Sequence, residues 1–294
     1  MVNNNVKRKD SRAGKSLSPA RRTELKAQRK VKLGGLSPTA FGLKRDLKLL
    51  EWIRNWGYTS KAILQKLAET TRHGTSARLV KRGWIEETPT PTGLPIQSYL
   101  TLTALGLHES EQRAEKLHHY PFLQSQKVRH NKIRHDLVAQ KFTLDALLKG
   151  VIIRYETELM TQEKSLPGTK QPDCTFIIQN PSAGLDGAPS TITYAVEVEL
   201  SRKWDRDFDD FRIKIIRAIQ AGKYSSFHLV TDIKAIKKAY EEGMLAGTKI
   251  PLWEISSKVN KWVQTGKYAT VPDWIGKGPD DPLTRFRCYL IESK

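Results

Sequence analysis

The stretch that most constrains this chain is Tyr194-Ala195-Val196-Glu197-Val198-Glu199-Leu200, preceded at a distance by Gln171-Pro172-Asp173-Cys174-Thr175-Phe176-Ile177-Ile178. Both pieces are rich in β-branched and aromatic residues and read as short strands. In the later piece Tyr194, Val196, Val198 and Leu200 alternate with Ala195, Glu197 and Glu199. A period of two puts the large residues on one face and both carboxylates on the other, ~7 Å apart. Asp173 enters directly after a proline, at the start of its own strand. Three carboxylates on neighbouring strands are too costly to bury together unless a cation compensates them. Hard divalent ions such as Mg²⁺ take oxygen ligands of this kind. The expectation is therefore a metal-dependent phosphodiesterase centre using Mg²⁺ or Mn²⁺.

Charge points to the substrate class. The chain of 294 residues carries 50 Lys+Arg against 31 Asp+Glu, a formal charge of +19. That excess favours a polyanionic partner, nucleic acid before an acidic membrane surface. Residues 1–41 alone hold 11 basic and 2 acidic residues with few apolar neighbours. They read as a disordered DNA-binding tail that grips phosphates without reading sequence, and Arg21–Lys32 could become helical on DNA. Two cysteines, Cys174 and Cys288, give neither a disulfide framework nor a four-cysteine zinc site. No apolar run reaches the ~20 residues of a membrane span, and the basic N-terminus has no apolar core behind it. The expected place is the cytoplasm, without membrane insertion.

Beyond Phe41 the periodicity becomes helical. Leu43, Leu47, Leu50 and Ile53 follow 4, 3 and 3 spacing towards Trp56-Gly57. Thr59-Ser60 can cap a second helix with Ile63, Leu64 and Leu67. A third is expected from about Thr71 to Lys81-Arg82, stopped by Gly83. Trp84-Ile85, a Pro/Thr-rich turn over residues 88–93 and a strand around Tyr99–Leu102 complete a hairpin. Three helices and a hairpin in this order resemble a winged helix-turn-helix domain, an α+β unit placed at residues 42–120. Its third helix enters the major groove. The resemblance makes Arg72, Arg78, Lys81 and Arg82 contacts to double-stranded DNA, although winged helices also serve protein–protein contacts.

Residues 121–294 read as an α/β domain. Ile133, Leu137, Leu144 and Leu148 line a helix over about 127–148. Strands are expected at 151–159, 172–178, 194–200 and 226–231, and helices at about 207–221 and 233–242. Residues 243–294 give no clear pattern, and Trp253, Trp262 and Trp274 read as packing residues rather than a base-stacking platform. Helix, strand with Glu156 and Glu158, strand with Pro172-Asp173, strand with Glu197-x-Glu199, then helix resembles the PD-(D/E)xK, or restriction-endonuclease-like, superfamily. The resemblance implies Asp173 and Glu197 as metal ligands, with Glu156 or Glu158 completing the set. The pattern does not choose between those two. Where the superfamily usually has lysine, this chain has Glu199, and Lys203 supplies an ammonium if the strand end curls back. Arg134 and His135 on the preceding helix, and Arg202 in the turn after Glu199, lie within reach of a substrate backbone.

A winged helix leading into such a domain resembles the replication-relaxation family, which includes the MobC-type conjugative relaxases. The carrying residues are Tyr155–Leu159, Pro172-Asp173, Ala195–Lys203 and the basic-aromatic helix ending at Gly222-Lys223-Tyr224. The resemblance implies strand-specific nicking at a transfer origin, alongside accessory relaxosome and coupling proteins. The seven histidines contain no His-x-His pair, so the histidine-cluster chemistry of other relaxases is disfavoured. Two rivals stand beside it. One is a double-strand endonuclease of a restriction or transposition system, and the other is a non-catalytic DNA-binding regulator of plasmid replication or transfer.

Overall fold

The computed structural model describes residues 18–69, 74–161, 168–180, 183, 189–257, 259–276, 278 and 284–291. The chain divides into two compact units, residues 1–46 and 47–294. In the first, α1 (Pro19–Lys32) covers the stretch expected to be a disordered tail that orders on DNA. The Ser18 hydroxyl accepts from the Arg21 N–H, and Glu24 receives Arg21 at 2.6 Å and Gln28 at 3.1 Å, local pairs that support an exposed helix. α2 (Pro38–Trp56) runs across the boundary between the units.

Within the second unit the winged helix-turn-helix order is present. Leu49, Leu50, Trp52 and Ile53 of α2 are sealed from solvent. α3 (Lys61–Leu67) is capped by Ser60, whose hydroxyl accepts from the Ile63 N–H, and buries Ile63, Leu64 and Leu67. Each such side chain contributes roughly 1.5–3 kcal/mol of burial. α4 (Thr75–Lys81) begins later than the sequence suggests, after Gly74 at φ +104°, a backbone that only glycine adopts without strain. The wing is β1 (Ile85–Pro89) paired antiparallel with β2 (Ser98–Leu102), and Thr59 adds a bridge to Leu100. α5 (Ala104–Glu111) then packs so closely on the wing that a Cβ at Gly106 would stand 1.8 Å from the Trp84 carbonyl oxygen.

The rest is built on a five-stranded mixed sheet in the order β3-β4-β5-β6-β9. β3 (Arg154–Thr157), β4 (Cys174–Gln179) and β5 (Thr191–Val198) are antiparallel, whereas β5, β6 (Ser226–Thr231) and β9 (Phe286–Leu290) run parallel. α6 (Ile133–Leu148) packs on one face, its Phe142 ring 5.6 Å from Phe176. α8 (Asp205–Gln220) connects β5 to β6 across the other face, where Phe211 joins Ala195 and Phe227 in a second apolar cluster. α9 (Lys234–Gly243) packs against β6 and β9, and the region left unread in the sequence forms a hairpin of β7 (Lys249–Ser256) and β8 (Lys261–Thr270).

Several expected boundaries move. α6 starts at Ile133 rather than near Lys127, and the residues just ahead of it, His130–Lys132, form a 3₁₀ turn. β3 stops at Thr157, and Glu158 opens the one-turn helix α7 (Glu158–Thr161) instead of sharing a strand face with Glu156. One apolar cluster runs without interruption from the winged helix into the sheet. Tyr155 of β3 stands 5.3 Å from Trp52 and 5.9 Å from Trp56. Beside them Gln140 of α6 accepts from the Trp52 indole at 3.1 Å and the Thr59 hydroxyl at 2.6 Å, and donates to the Tyr58 carbonyl at 2.9 Å.

Candidate catalytic centre

Register decides which acids meet. Thr175 pairs with Ala195, so Asp173, one step ahead of β4, comes level with Glu197 at the end of the sheet. An Asp173 carboxylate oxygen accepts the Val198 N–H at 2.7 Å, which anchors it across the strand end. His135 reaches the same point from α6. Its Nε2 lies 3.1 Å from the Val198 carbonyl and 3.2 Å from Asp173, while Nδ1 meets Asp136 at 2.9 Å. The Tyr58 hydroxyl donates to the other Asp136 oxygen at 2.6 Å. Burial opposes charge on His135, but Asp136 and Asp173 outweigh it and push its pKa up to about 10. At neutral pH it is an imidazolium donating from both nitrogens.

Glu197 and Glu199 are each 5 % exposed. The compensating cations are lysines. Lys170 holds one Glu197 oxygen at 2.7 Å, and Lys203 curls back onto Glu199 as an ion pair four residues away. Glu199 also accepts from the Tyr240 hydroxyl at 3.3 Å and the Ser201 hydroxyl at 3.5 Å. Both ammonium groups lie over the Phe211 ring, Lys203 at 4.7 Å and Lys170 at 5.9 Å. Burial and then the nearby Asp173 charge raise the Glu197 pKa to about 7 against the pull of the lysines. Burial foremost lowers that of Lys203. Among the described residues the second Glu197 oxygen, which is buried, has no hydrogen-bond partner.

The remaining expected residues are scattered. Glu158 lines a cavity of about 340 Å³ together with Asp173, Asp136, Lys127, Arg129 and Lys132. Glu156 is not in that lining and lies 3.4 Å from Arg154. Among the described residues no three His, Cys, Asp or Glu side chains gather as a metal cage. A cage of Asp173, Glu197 and Glu156 or Glu158 is therefore not displayed. Asp173 and Glu197 alone still suit a hard cation that keeps water and phosphate oxygens in the rest of its shell, and the partnerless Glu197 oxygen is the atom such a cation would satisfy.

Arg134 pairs with the buried Asp232 carboxylate at 2.5 Å, bracing α6 against the end of β6, while about half of its side chain stays exposed. Arg202 lies 3.9 Å over the exposed Trp204 ring beside the centre. Trp262, expected to be packing, is 48 % exposed with the Arg206 guanidinium 4.9 Å above it. Trp253 does pack, donating to Asp209 at 2.9 Å. On α4, Leu79 is buried, Arg78 half-buried, and Lys81 and Arg82 exposed, with Arg82 over Trp84 at 4.8 Å. Arg72 lies outside the described residues. Sequence reasoning missed Lys170 and Asp136. The available signal for Lys170 was a cation three residues before Asp173; Asp136 offered none beyond adjacency to His135.

No protein-family model matches this chain, and no curated protein is similar to it. Among solved structures it is similar to the reduced form of MarR from E. coli, at 22% identity over 47% of this chain and 98% of that one, with a TM-score of 0.22. The oxidised form of MarR matches at 26% identity over 47% and 96%, TM-score 0.22. A mutant MarR complexed with operator DNA matches at 23% identity over 45% and 91%, TM-score 0.22. Among the described residues no helix is long and apolar enough to cross a membrane.

Proposed function

We propose that this chain is a sequence-specific double-stranded-DNA-binding protein whose winged helix-turn-helix places α4 in the major groove. The observation that carries the reading is α4 itself, anchored by buried Leu79 while Lys81 and Arg82 face solvent. The net charge of +19 and the basic residues of α1 add sequence-independent affinity for phosphates. Lysine compensation of Glu197 and Glu199 means that the sheet end needs no metal for charge balance, which suits a DNA-binding regulator. The test is fluorescence anisotropy on duplex DNA across a salt series. Replacing Lys81 and Arg82 by alanine should weaken binding and lower the salt slope by roughly 2. Unchanged affinity and slope would sink the assignment.

A second reading rests on the partnerless oxygen of Glu197. It makes the protein a DNA-nicking endonuclease, a relaxase at a transfer-origin-like site working with accessory and coupling proteins. Asp173 and Glu197 would hold Mg²⁺ or Mn²⁺, which when bound supplies an acidified water and a polarised phosphate. Lys203 and Lys170 offer ammonium charge to the scissile phosphate, Arg202 and Lys132 can steady the flanking backbone, and Glu199 fixes Lys203. Supercoiled plasmid incubated with each ion decides between the readings. Relaxed circles lost on Asp173→Ala support nicking, linear product supports double-strand cleavage, and unaltered plasmid leaves the regulator.

A further inference from the structure

Between the wing and the sheet end, residues 121–135 hold Lys127, Arg129, Lys132 and Arg134 and not one Asp or Glu. Two 3₁₀ turns shape this stretch, Ser125–Lys127 and His130–Lys132. Ser125, Val128 and Ile133 are buried and seat its backbone, while Lys127, Arg129 and Lys132 are exposed. The Tyr99 hydroxyl of β2 donates to the Ser125 carbonyl at 3.0 Å, which ties the stretch to the wing. The three exposed cations line the cavity of about 340 Å³ that also holds Asp173. Arg134 is taken by Asp232, but among the described residues none of those three has an ion pair, a side-chain hydrogen bond or a ring contact. The acids of the lining do not offset them. Asp136 meets His135 and Tyr58, and Asp173 meets His135 and the Val198 N–H. Glu158 alone has no such partner among the described residues. Like charges gathered on one rim repel, and a polyanion laid across them removes that cost.

We propose that Lys127, Arg129 and Lys132 form a second DNA contact, separate from α4, that grips the sugar–phosphate backbone of a bound duplex. The proposal rests on the DNA-binding reading and adds a surface to it. The duplex lies along the rim, because a cavity of about 340 Å³ is far smaller than a double helix. A single small anion would answer one of the three cations, whereas a backbone with a charge at every nucleotide answers all three. Contacts of this kind carry no sequence information but fix register and orientation. The anchoring of Val128, Ile133 and Ser125 sets the backbone beforehand, so less order has to be imposed on binding than in a loose basic tail.

The experiment is fluorescence anisotropy of the full chain on a random-sequence duplex of about 30 base pairs, in EDTA, across a salt series. Combining Lys127→Gln, Arg129→Gln and Lys132→Gln should lower the slope of log affinity on log salt by about 2–3. Affinity near about 0.1 M salt should fall at least about tenfold. A control at exposed lysines elsewhere, Lys234→Gln with Lys261→Gln and Lys267→Gln, removes the same charge and should move the slope by less than about 1. An unchanged slope in the first variant overturns the proposal and leaves α4 as the DNA contact. An equal fall in the control also overturns it, because net charge alone would then account for the effect. A parent chain with no affinity for the duplex removes the DNA-binding reading and the proposal with it. Arg129→Gln alone, with an expected slope fall of about 1, repeats the test should the triple variant unfold.

Discussion

Gln140 and Glu197 are both all but sealed from solvent, at 0 % and 5 % exposure, and they are satisfied to different degrees. Gln140 sits where α6 meets the winged helix and makes three hydrogen bonds to Trp52, Thr59 and Tyr58, all neutral and all of ordinary length. Glu197 sits at the sheet end, is fully charged only above its raised pKa of about 7, meets Lys170 and, among the described residues, leaves an oxygen without a partner. A fully satisfied neutral network rigidifies a seam and specifies one arrangement. A charged group left partly unsatisfied stores a penalty, which a ligand able to complete its shell can relieve. The contrast separates a residue whose polar groups the fold answers in full from one whose carboxylate it answers in part.

The largest effect is expected at the seam. Gln140→Leu would strand the Trp52 N–H and the Tyr58 carbonyl in an apolar interior, each costing ~1–3 kcal/mol, and the Thr59 hydroxyl beside them. A loss of about 4 kcal/mol in urea-unfolding free energy is the expected outcome, with DNA affinity recovered wherever the variant is still folded. A loss below about 1 kcal/mol would show that the seam is held by Tyr155, Trp52 and Trp56 alone.

At Glu197 the sign reverses. Its folded pKa, about 7, lies above the unfolded value of 4.5. The native state therefore binds a proton more tightly, and this group's contribution is most favourable at low pH. It is lost as pH rises from about 4.5 to 7. The shift corresponds to about 3 kcal/mol. Glu197→Gln should therefore be more stable than the parent at pH 8 and no more stable at pH 4.5, measured as urea midpoints at both values. A stability difference that does not change with pH would refute the buried-charge account. His135 is linked to pH in the same direction, because its folded pKa of about 10 also lies above an unfolded 6.5, but here the stabilised form is the cation. Its contribution is complete below about 6.5 and fades as pH approaches 10. His135→Gln should cost about 2 kcal/mol at pH 7 and little at pH 11.

Periodicity made the elements legible, and contact chemistry was the part it left out. β6 occupies the expected residues 226–231, and Ser60 caps α3, because a period of two and a hydroxyl before an apolar run are local signals. The alternation around Glu197 holds along β5 only as far as Val198, so Glu199 lies just past the strand, and Asp173 stands one residue before β4. Lys203 was readable as the cation four residues beyond Glu199, whereas Lys170 was marked only by its place three residues before Asp173, since it reaches Glu197 from a different loop. The shared apolar cluster was not readable. Trp52, Trp56 and Tyr155 belong to elements a hundred residues apart, and each alone reads as the core of its own domain. Glu158 left its strand because β3 is only four residues long, a tertiary limit that an acid two positions after Glu156 could not reveal.

The smallest expected effect tests whether burial, rather than charge itself, makes the difference between the two regions. Lys66 of α3 and Asp145 of α6 form an ion pair on the rim of the same seam that Gln140 holds from inside. Their side chains are 53 % and 45 % exposed, so water screens the pair and the ordering of two long side chains offsets part of the attraction. Lys66→Ala should therefore change the unfolding free energy by less than about 1 kcal/mol, and 0.5 M salt should erase what remains, by about the same amount. A loss comparable to Gln140→Leu would mean that the seam depends on its charged rim, and the contrast between satisfied interior and partly answered sheet end would have to be redrawn around electrostatics.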